Sequence, residues 1–179
     1  MRGGRPQEGD NSVGGAGEWR YPEFTGYLEE NQERFYRLAF SYVKNREAAL
    51  DLVQDAVVKA ITNLGSLKKP EYMKTWFYRI LVNECLMYLR KNRILYLPNL
   101  EEQFEQPYTQ RHFEDLELYE AVGSLDPVLK TVVILRFFED LKLDDIARIT
   151  GTNLSTVKSR LYKALRVLRV SIEEVKLDE

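Results

Sequence analysis

The chain has 179 residues, of which 44% are hydrophobic and 30% are charged, and its formal net charge is −2. This composition supports a buried core in one ordinary domain or two small ones. The sequence contains no run of 18 apolar residues, the length needed to cross a membrane. The single cysteine, Cys85, excludes an internal disulfide and a cysteine-based zinc site, and the single histidine, His112, makes other metal sites unfavourable. The N-terminus has no signal-peptide pattern, so we predict a cytoplasmic protein without a cofactor.

The chain begins with a segment that is poor in structural signals. Residues 1–20 hold six of the ten glycines and show no apolar periodicity, which predicts a disordered tail. Apolar residues then recur at helical spacing over 21–93, the first predicted module. In its helix at 46–64 we expect a buried stripe, ended by Gly65, that consists of Leu50, Val53, Val57, Ala60 and Leu64.

The same helix carries a polar patch beside its apolar stripe. Asp51, Gln54 and Asp55 project together from one side. Carboxylates and an amide between apolar rows suit docking to a basic or helical protein partner. Taken alone, the patch is explained more simply as a solvated helix face.

A helix predicted over 72–93 has an unusual composition on one side. That side carries Trp76, Arg79, Asn83, Met87 and Arg90. Aromatic rings stack on unpaired bases, at about 1–3 kcal/mol per base, an Asn side chain can bond a base edge, and arginines hold phosphates. The competing interpretation packs Trp76 inward and treats the arginines as ordinary surface. The opposite, apolar side includes Tyr78 and Cys85, so we expect Cys85 in the core.

Charge is distributed in blocks that cancel in the total. Seven Lys/Arg against two acids lie in 68–93, and six against two lie in 143–170. Between them, 99–120 has seven acids and one Arg. Each basic block can meet phosphates despite the acidic total. With two prolines and no steady period, 94–115 is predicted to be an acidic linker, and 116–175 a second helical module. The fold class is therefore all-α, with two modules.

The strongest local signal is a helix-turn-helix pattern at 141–169. We expect Asp144, or the residue before it, to cap a short helix that Gly151 ends in the left-handed conformation. Ser155 or Thr156 then starts a longer basic helix. A short helix, a glycine turn and a basic helix are typical of a DNA-reading domain.

The longer helix separates its faces clearly. Its inner sector holds Val157, Leu161, Ala164, Leu165 and Leu168, and Lys158 and Arg160 flank the outer face. Hydroxyls, an aromatic ring and cations are groups that contact base edges and phosphates. The outer face alone would fit a bundle helix equally well; the turn beside it favours DNA. That outer face holds Ser155, Ser159, Tyr162, Lys163 and Arg166.

In this order the three features resemble the bacterial RNA polymerase sigma factors, in particular their extracytoplasmic-function group. The resemblance covers about 24–172 and rests on the strings DLVQDAVVKA, KTWFYRILVN and LDPVLKTVVILRFFEDLKLDDIARITGTNLSTVKSRLYKALRVLR. FYRLAFSYVKN and RFFEDLKL look most similar to the Gram-positive sigma-V-type subgroup. The resemblance implies a region 2 module that binds the promoter −10 element and a region 4 module that binds the −35 element.

The resemblance also implies roles for individual residues. Asp51, Gln54 and Asp55 match the patch that grips the β′ clamp helices of core polymerase. The loop that receives a flipped −10 base matches Leu67, Lys68 and Lys69. Positions for melting and −10 recognition match Trp76, Tyr78, Arg79 and Asn83, with Arg90 a phosphate contact on the same face. The −35-reading helix matches Lys158, Ser159, Arg160, Tyr162 and Lys163, and its outer face extends to Ser155 and Arg166.

Two positions depart from the family pattern. Val57 stands where the family usually has Phe, which alters the clamp surface, and Met87 stands where an acid is common, which bears on −10 preference. The implied partners are core polymerase, through its β′ clamp helices and β flap, promoter DNA, and a membrane-anchored anti-sigma factor. No small-molecule substrate and no enzymatic activity are implied.

Three other classes of protein share single features of this sequence. A conventional helix-turn-helix regulator would need a sensory domain and would protect a palindrome without polymerase. A nucleic-acid-processing enzyme would need metal-binding carboxylates or a phosphate loop, and no GxxxxGK[ST] motif is present. A structural helical adaptor would tolerate loss of Lys158, Arg160 and Lys163 in transcription.

Overall fold

The computed structural model describes residues 20–92 and 122–175, with side chains up to residue 170. Every regular element in these two ranges is helical, so the predicted all-α class is confirmed. The predicted linker at 94–115 lies outside the described residues, as does all of the predicted tail except Arg20. The prediction for Arg20 was wrong, because this residue already begins the first helix. No described helix is long and apolar enough to cross a membrane.

The first module consists of three helices. α1 spans Arg20–Val43, α2 spans Arg46–Thr62 and α3 spans Met73–Asn92. Between α1 and α2, Lys44 has a left-handed φ of 54°, and the Asn45 side chain accepts a hydrogen bond from the Ala48 N–H at 2.9 Å. This asparagine satisfies one of the free amide groups that begin α2.

Two short 3-10 turns, Leu64–Ser66 and Pro70–Tyr72, connect α2 to α3. The prediction that Gly65 ends α2 was wrong. α2 ends at Thr62, where the Asn63 N–H donates to the carbonyls of the last turn, and Gly65 follows inside the first 3-10 turn. Pro70 starts the second turn, a position where its missing N–H costs no helical hydrogen bond.

The second module contains the predicted helix-turn-helix. α4 spans Pro127–Val133 and runs into a π-helical turn at Ile134–Phe138; α5 spans Leu143–Thr150 and α6 spans Leu154–Val175. Asp126 caps α4, since its carboxylate accepts the Val128 N–H at 2.9 Å. The expected cap of α5 was wrong, because α5 begins after Lys142 without a side-chain hydrogen bond.

The buried side of α2 matches the predicted stripe only in part: Ala60 and Leu64 are buried, and Val53 and Val57 are half-buried against the core. Leu50 is exposed, and the residues that face the core are Ala49, Leu52, Ala56 and Ala60. Three of these four are alanines, and a small side chain lets α2 approach α1 and α3 closely. The hydrophobic pattern misled the prediction because apolar residues surround most of this helix.

The two modules share one hydrophobic core. Buried residues of α1 and α3 belong to the same contact cluster as those of α4 and α5, and α5 packs against α3. Within each module, α1 packs on α2 and α3, and α4 packs on α6. The pattern along the sequence predicts the two modules but not this association between them.

Candidate functional site

The turn before α6 matches the predicted geometry. Gly151 has a φ of 64°, the left-handed conformation that ends α5. Asn153, rather than Ser155 or Thr156, caps the next helix, since its Oδ1 accepts the Thr156 N–H at 2.7 Å. The same oxygen accepts a hydrogen bond from Ser155 Oγ at 2.8 Å. The Ser155 hydroxyl therefore gives its proton to Asn153 and presents acceptor lone pairs outward.

The outer face of α6 is exposed as predicted. Val157, Ala164 and Leu168 are buried on the inner side, whereas Leu165 is exposed. Tyr162 is 70% exposed, so its ring is free to meet another surface. No described residue forms an ion pair with the cations of this face. Its exposed members are Ser155, Lys158, Ser159, Tyr162, Lys163 and Arg166, with Arg160 half-buried at the flank.

On α3 the predicted ridge is also accessible. Arg79, Asn83 and Arg90 are exposed, and Trp76 and Met87 are half-buried. The indole of Trp76 packs edge-on against Phe24, with ring centroids 5.9 Å apart. This contact holds one edge of the ring in the core and leaves the remainder at the surface, so both interpretations of Trp76 hold in part.

Two residues assigned to −10 binding are not accessible in this arrangement. Tyr78 is 1% exposed; its ring contacts Phe35, and its hydroxyl donates a hydrogen bond to Glu139 of the second module. Leu67 is 2% exposed, whereas its neighbours Lys68 and Lys69 are exposed. For Tyr78 the helical spacing explains the burial, since it lies on the apolar side of α3, opposite the ridge. Direct DNA contact by Tyr78 or Leu67 therefore requires a different arrangement of the chain.

The polar patch on α2 is larger than the sequence indicated. Asp51, Gln54 and Asp55 are all exposed, and an open groove beside them is lined also by Glu47 and Tyr88. The same side of α2 exposes apolar side chains that the predicted stripe either missed or misassigned: Leu50, Val58 and Ile61, with Val58 at 63% exposure. Apolar groups flanked by carboxylates form a surface suited to a helical, partly basic protein partner.

Other chemistry on the described residues is limited. They hold no group of three or more His, Cys, Asp or Glu side chains that could bind a metal ion. Cys85 is buried, and burial raises the pKa of its thiol to about 12. This matches its predicted place in the core. A thiol in that environment is protonated at neutral pH and is therefore a poor nucleophile.

Comparison with known protein families assigns both modules. The Sigma-70 region 2 family matches residues 27–94, which include α2 and α3, and the Sigma-70 region 4 family matches residues 115–168, which include the helix-turn-helix.

Individual proteins give the same result. The RNA polymerase sigma factor SigV of Bacillus subtilis (strain 168) is 44% identical over 146 residues, 81% of this chain and 88% of that protein. The ECF RNA polymerase sigma factor SigW of the same organism is 25% identical over 168 residues, 85% of this chain and 90% of that protein.

A solved structure of the sigma factor RpoE in complex with the anti-sigma factor NepR from Bartonella quintana is also similar. It has a TM-score of 0.72 and 25% identity, and the match covers 88% of this chain and 99% of that one. With two region matches in the expected order and a relative at 44% identity, the chain belongs to the extracytoplasmic-function (ECF) group of RNA polymerase sigma factors, on the side of that group that includes SigV.

Proposed function

We propose that three exposed surfaces of this sigma factor divide the work of transcription initiation. The α2 surface around Asp51, Gln54 and Asp55 binds the β′ clamp helices of core polymerase. The α3 ridge around Trp76, Arg79 and Asn83, with Arg90, contacts the −10 element. The outer face of α6 contacts the −35 element. The domain limits that go with these roles are 21–93 for region 2 and 116–175 for region 4.

The observation that carries this proposal is the exposed outer face of α6. Its cations have no ion-pair partner among the described residues, and they stand beside hydroxyls and an exposed tyrosine directly after the Gly151 turn. A helix placed in this way enters the major groove, where hydroxyls and cations contact bases and phosphates. Because Ser155 presents acceptors, it favours a base that offers an amino group, cytosine or adenine.

The α3 ridge fits the second task, which is capture of opened DNA. Unstacking a base costs a few kcal/mol. A stacked Trp76 ring and a hydrogen bond from Asn83 offset that cost only for a matching base, so recognition and melting are coupled. Lys68 and Lys69 are exposed in the connection that leads into α3, and their charges hold the phosphates of the opened strand.

The partners follow from these surfaces and from the relatives. They are core RNA polymerase, through β′ and the β flap, and promoter DNA. An anti-sigma factor is a third partner, by analogy with the RpoE–NepR complex. We place the factor in the cytoplasm, where a membrane-anchored anti-sigma factor in an envelope stress response would hold it. Phosphodiester synthesis belongs to the polymerase, so the chain itself is not an enzyme.

In vitro transcription with core polymerase tests the assignments, using promoters in which the −10 and −35 elements are varied separately. Asn83→Ala should change selection among −10 variants and leave −35 selection intact. Lys163→Ala should lower output from promoters that depend on the −35 element, and each variant is the control for the other. The expected loss at each affected position is about 10-fold, since one base or phosphate contact contributes about 1–3 kcal/mol.

Unchanged selection by both variants would contradict the residue assignments. A conventional regulator would instead protect promoter DNA without polymerase, so footprinting of the factor alone separates the two classes of protein. We expect no footprint without polymerase, because the short contacts of each module bind weakly until polymerase fixes their spacing.

A further inference from the structure

A short exposed segment lies in the connection between α2 and α3. Both of its ends are anchored in the core, because Leu67 is 2% exposed and Met73 is 6% exposed. The five residues between these anchors, 68–72, are all exposed. Tyr72 is the one aromatic residue among the five, and it is 46% exposed. The connection thus carries a large ring at the surface between two buried anchors.

Local hydrogen bonds hold the backbone that carries this ring. Tyr72 closes the 3-10 turn Pro70–Tyr72, and its N–H donates to the Lys69 carbonyl at 3.1 Å. The Tyr72 carbonyl accepts a hydrogen bond from Thr75 Oγ1, also at 3.1 Å. Pro70 further restricts the turn, since its ring fixes one backbone angle. Little backbone entropy therefore remains to be lost when the Tyr72 ring binds another molecule.

Tyr72 extends the α3 ridge by one turn. Met73 has the helical angles φ −54° and ψ −47°, so the 3-10 turn continues directly into α3. Side chains four residues apart lie on one face of a helix, separated by about one turn of 5.4 Å. Tyr72 precedes Trp76 by four residues, and Arg79 and Asn83 continue the same face. The ridge therefore begins with two aromatic rings in succession, which an arginine and an amide follow.

The charges beside Tyr72 suit a nucleic-acid strand. Lys68 forms no ion pair with any residue that the structure describes. Lys69 Nζ lies 3.5 Å from Glu71 Oε1, and the two side chains are 61% and 60% exposed. An ion pair so exposed contributes little to stability, so a phosphate can replace the Glu71 carboxylate. Cations next to an aromatic ring are the combination with which proteins bind single strands.

A protein partner is the competing occupant of this surface. The cores of protein interfaces are depleted of lysine, and two lysines stand in the same short segment as Tyr72. The other large exposed apolar residues nearby in the sequence, Val58 and Ile61, belong to α2 and to its acidic surface. The basic surroundings of Tyr72 therefore favour nucleic acid over protein.

We propose that Tyr72 is a further DNA-binding residue of this sigma factor, and that its ring stacks on an unpaired base next to the base held by Trp76. The inference rests on the proposed function, since only a factor that holds opened DNA offers Tyr72 an unpaired base. Every base has a π face, so stacking tolerates any base. Tyr72 thus adds affinity for the opened strand, whereas selection among −10 sequences belongs to Asn83.

Photochemical cross-linking tests this contact directly. The probe is a promoter fragment with an unpaired −10 region, in which 5-iodouracil replaces one base at a time. The full-length factor binds it together with core polymerase, and irradiation joins the modified base to an aromatic ring stacked on it. Mass spectrometry should identify adducts of Tyr72 and of Trp76 at neighbouring positions of one strand.

Three variants separate the ring from the size of the side chain. Tyr72→Phe keeps the ring and should keep the affinity of the factor, bound to polymerase, for the unpaired probe. Tyr72→Leu keeps an apolar side chain without a π face and should weaken binding about 10-fold, equally for different −10 sequences. Tyr21→Leu is the matched control, because Tyr21 is 56% exposed on α1, outside the ridge. The Trp76 adduct should persist in Tyr72→Leu, which shows that this variant is folded.

The role of Tyr72 is overturned if Trp76 forms adducts and Tyr72 forms none at any position. Equal probe affinities of Tyr72→Leu and the natural chain would also overturn it. So would a loss of polymerase binding by Tyr72→Leu in the absence of DNA, since that result assigns the ring to a protein contact. If Asn83→Ala leaves −10 selection unchanged while Tyr72 forms its adduct, the residue assignments of the proposed function fail and the stacking contact stands.

Discussion

Gly151 carries the turn of the helix-turn-helix through its backbone alone. Its φ of 64° is unfavourable for residues with a side chain, and an added Cβ would find no heavy atom within 4 Å. Steric crowding therefore contributes nothing, and the conformational preference decides the effect of substitution. The sequence predicted this residue correctly because a left-handed cap is a local property of the chain.

We expect Gly151→Ala to lower the free energy of unfolding by about 1 kcal/mol, with Gly151→Asn costing less because Asn tolerates the left-handed region. Gly65→Ala is the control, since Gly65 also has open space for a Cβ and has no positive φ. Urea denaturation of the three variants measures the difference. A Gly151→Ala midpoint equal to that of Gly65→Ala would contradict the role of backbone strain.

At the scale of elements, α6 is capped by Asn153, whereas the sequence pattern predicted a start at Ser155 or Thr156. Asn153 accepts from the Thr156 N–H and from Ser155 Oγ. Three candidate caps stand within four residues, and their hydroxyl and amide oxygens are interchangeable by propensity. Only the backbone geometry after Gly151 selects among them.

Asn153→Ala should cost about 1 kcal/mol of stability, the usual effect of removing a helix cap, and should lower the thermal midpoint. Asn153→Asp keeps the acceptor and adds a negative charge at the helix N-terminus, which favours stability. The same charge should repel DNA phosphates and reduce −35-dependent transcription. A parallel loss of stability in both variants would rule out the cap.

α2 shows the limit of periodicity at this scale. Leu50 and Ile61 belong to the exposed side, whereas Ala49 and Ala56 face the core. Hydrophobicity favours leucine over alanine as the buried residue, but close approach of α1 and α3 favours the smaller side chain. The proposed role of α2 in binding polymerase accounts for its large exposed apolar groups, and these groups weaken the hydrophobic signal of the buried face. The sequence thus predicted the helix and its acidic patch correctly, but it placed the buried face too far round the helix, towards Leu50.

For the molecule as a whole, the contacts between the two modules could not be predicted from the sequence. Lys130 and Glu139 appear along the chain as two charged residues near an apolar run, and nothing local distinguishes them from surface residues. Their partners Ser41 and Tyr78 are 89 and 61 positions away. A pattern of period 3.6 gives the face of each helix but contains no information on which distant face it meets.

The pKa of Lys130 makes stability depend on pH in a defined window. Its value falls from 10.5 to about 8 through burial first and then through Lys44, with Asp126 opposing. Between about pH 8 and 10.5 the unfolded chain holds this proton and the packed chain releases it, so stability rises with pH. Below pH 8 both states hold the proton, and the dependence from this group vanishes. The neutral amine still donates to the Ser41 carbonyl, above the Tyr42 ring.

The urea midpoint should therefore rise more, or fall less, between pH 7.5 and pH 9.5 for the natural chain than for Lys130→Met. Lys142→Met, which removes an exposed lysine of the same module, should retain the change of the natural chain. An identical shift in all three proteins would contradict the assignment of this pH dependence to Lys130.

The cap that Lys130 gives to α1 affects experiments on a truncated protein that contains only the first module. A fragment that ends after α3 leaves the Ser41 carbonyl to water and uncovers the phenol of Tyr78. In such a fragment the end of α1 should fray more than in the intact chain. The Tyr78 phenol should also be accessible to single-stranded DNA. Measurements on the isolated half therefore describe a surface that differs from the one the undivided protein displays at the end of α1 and around Tyr78.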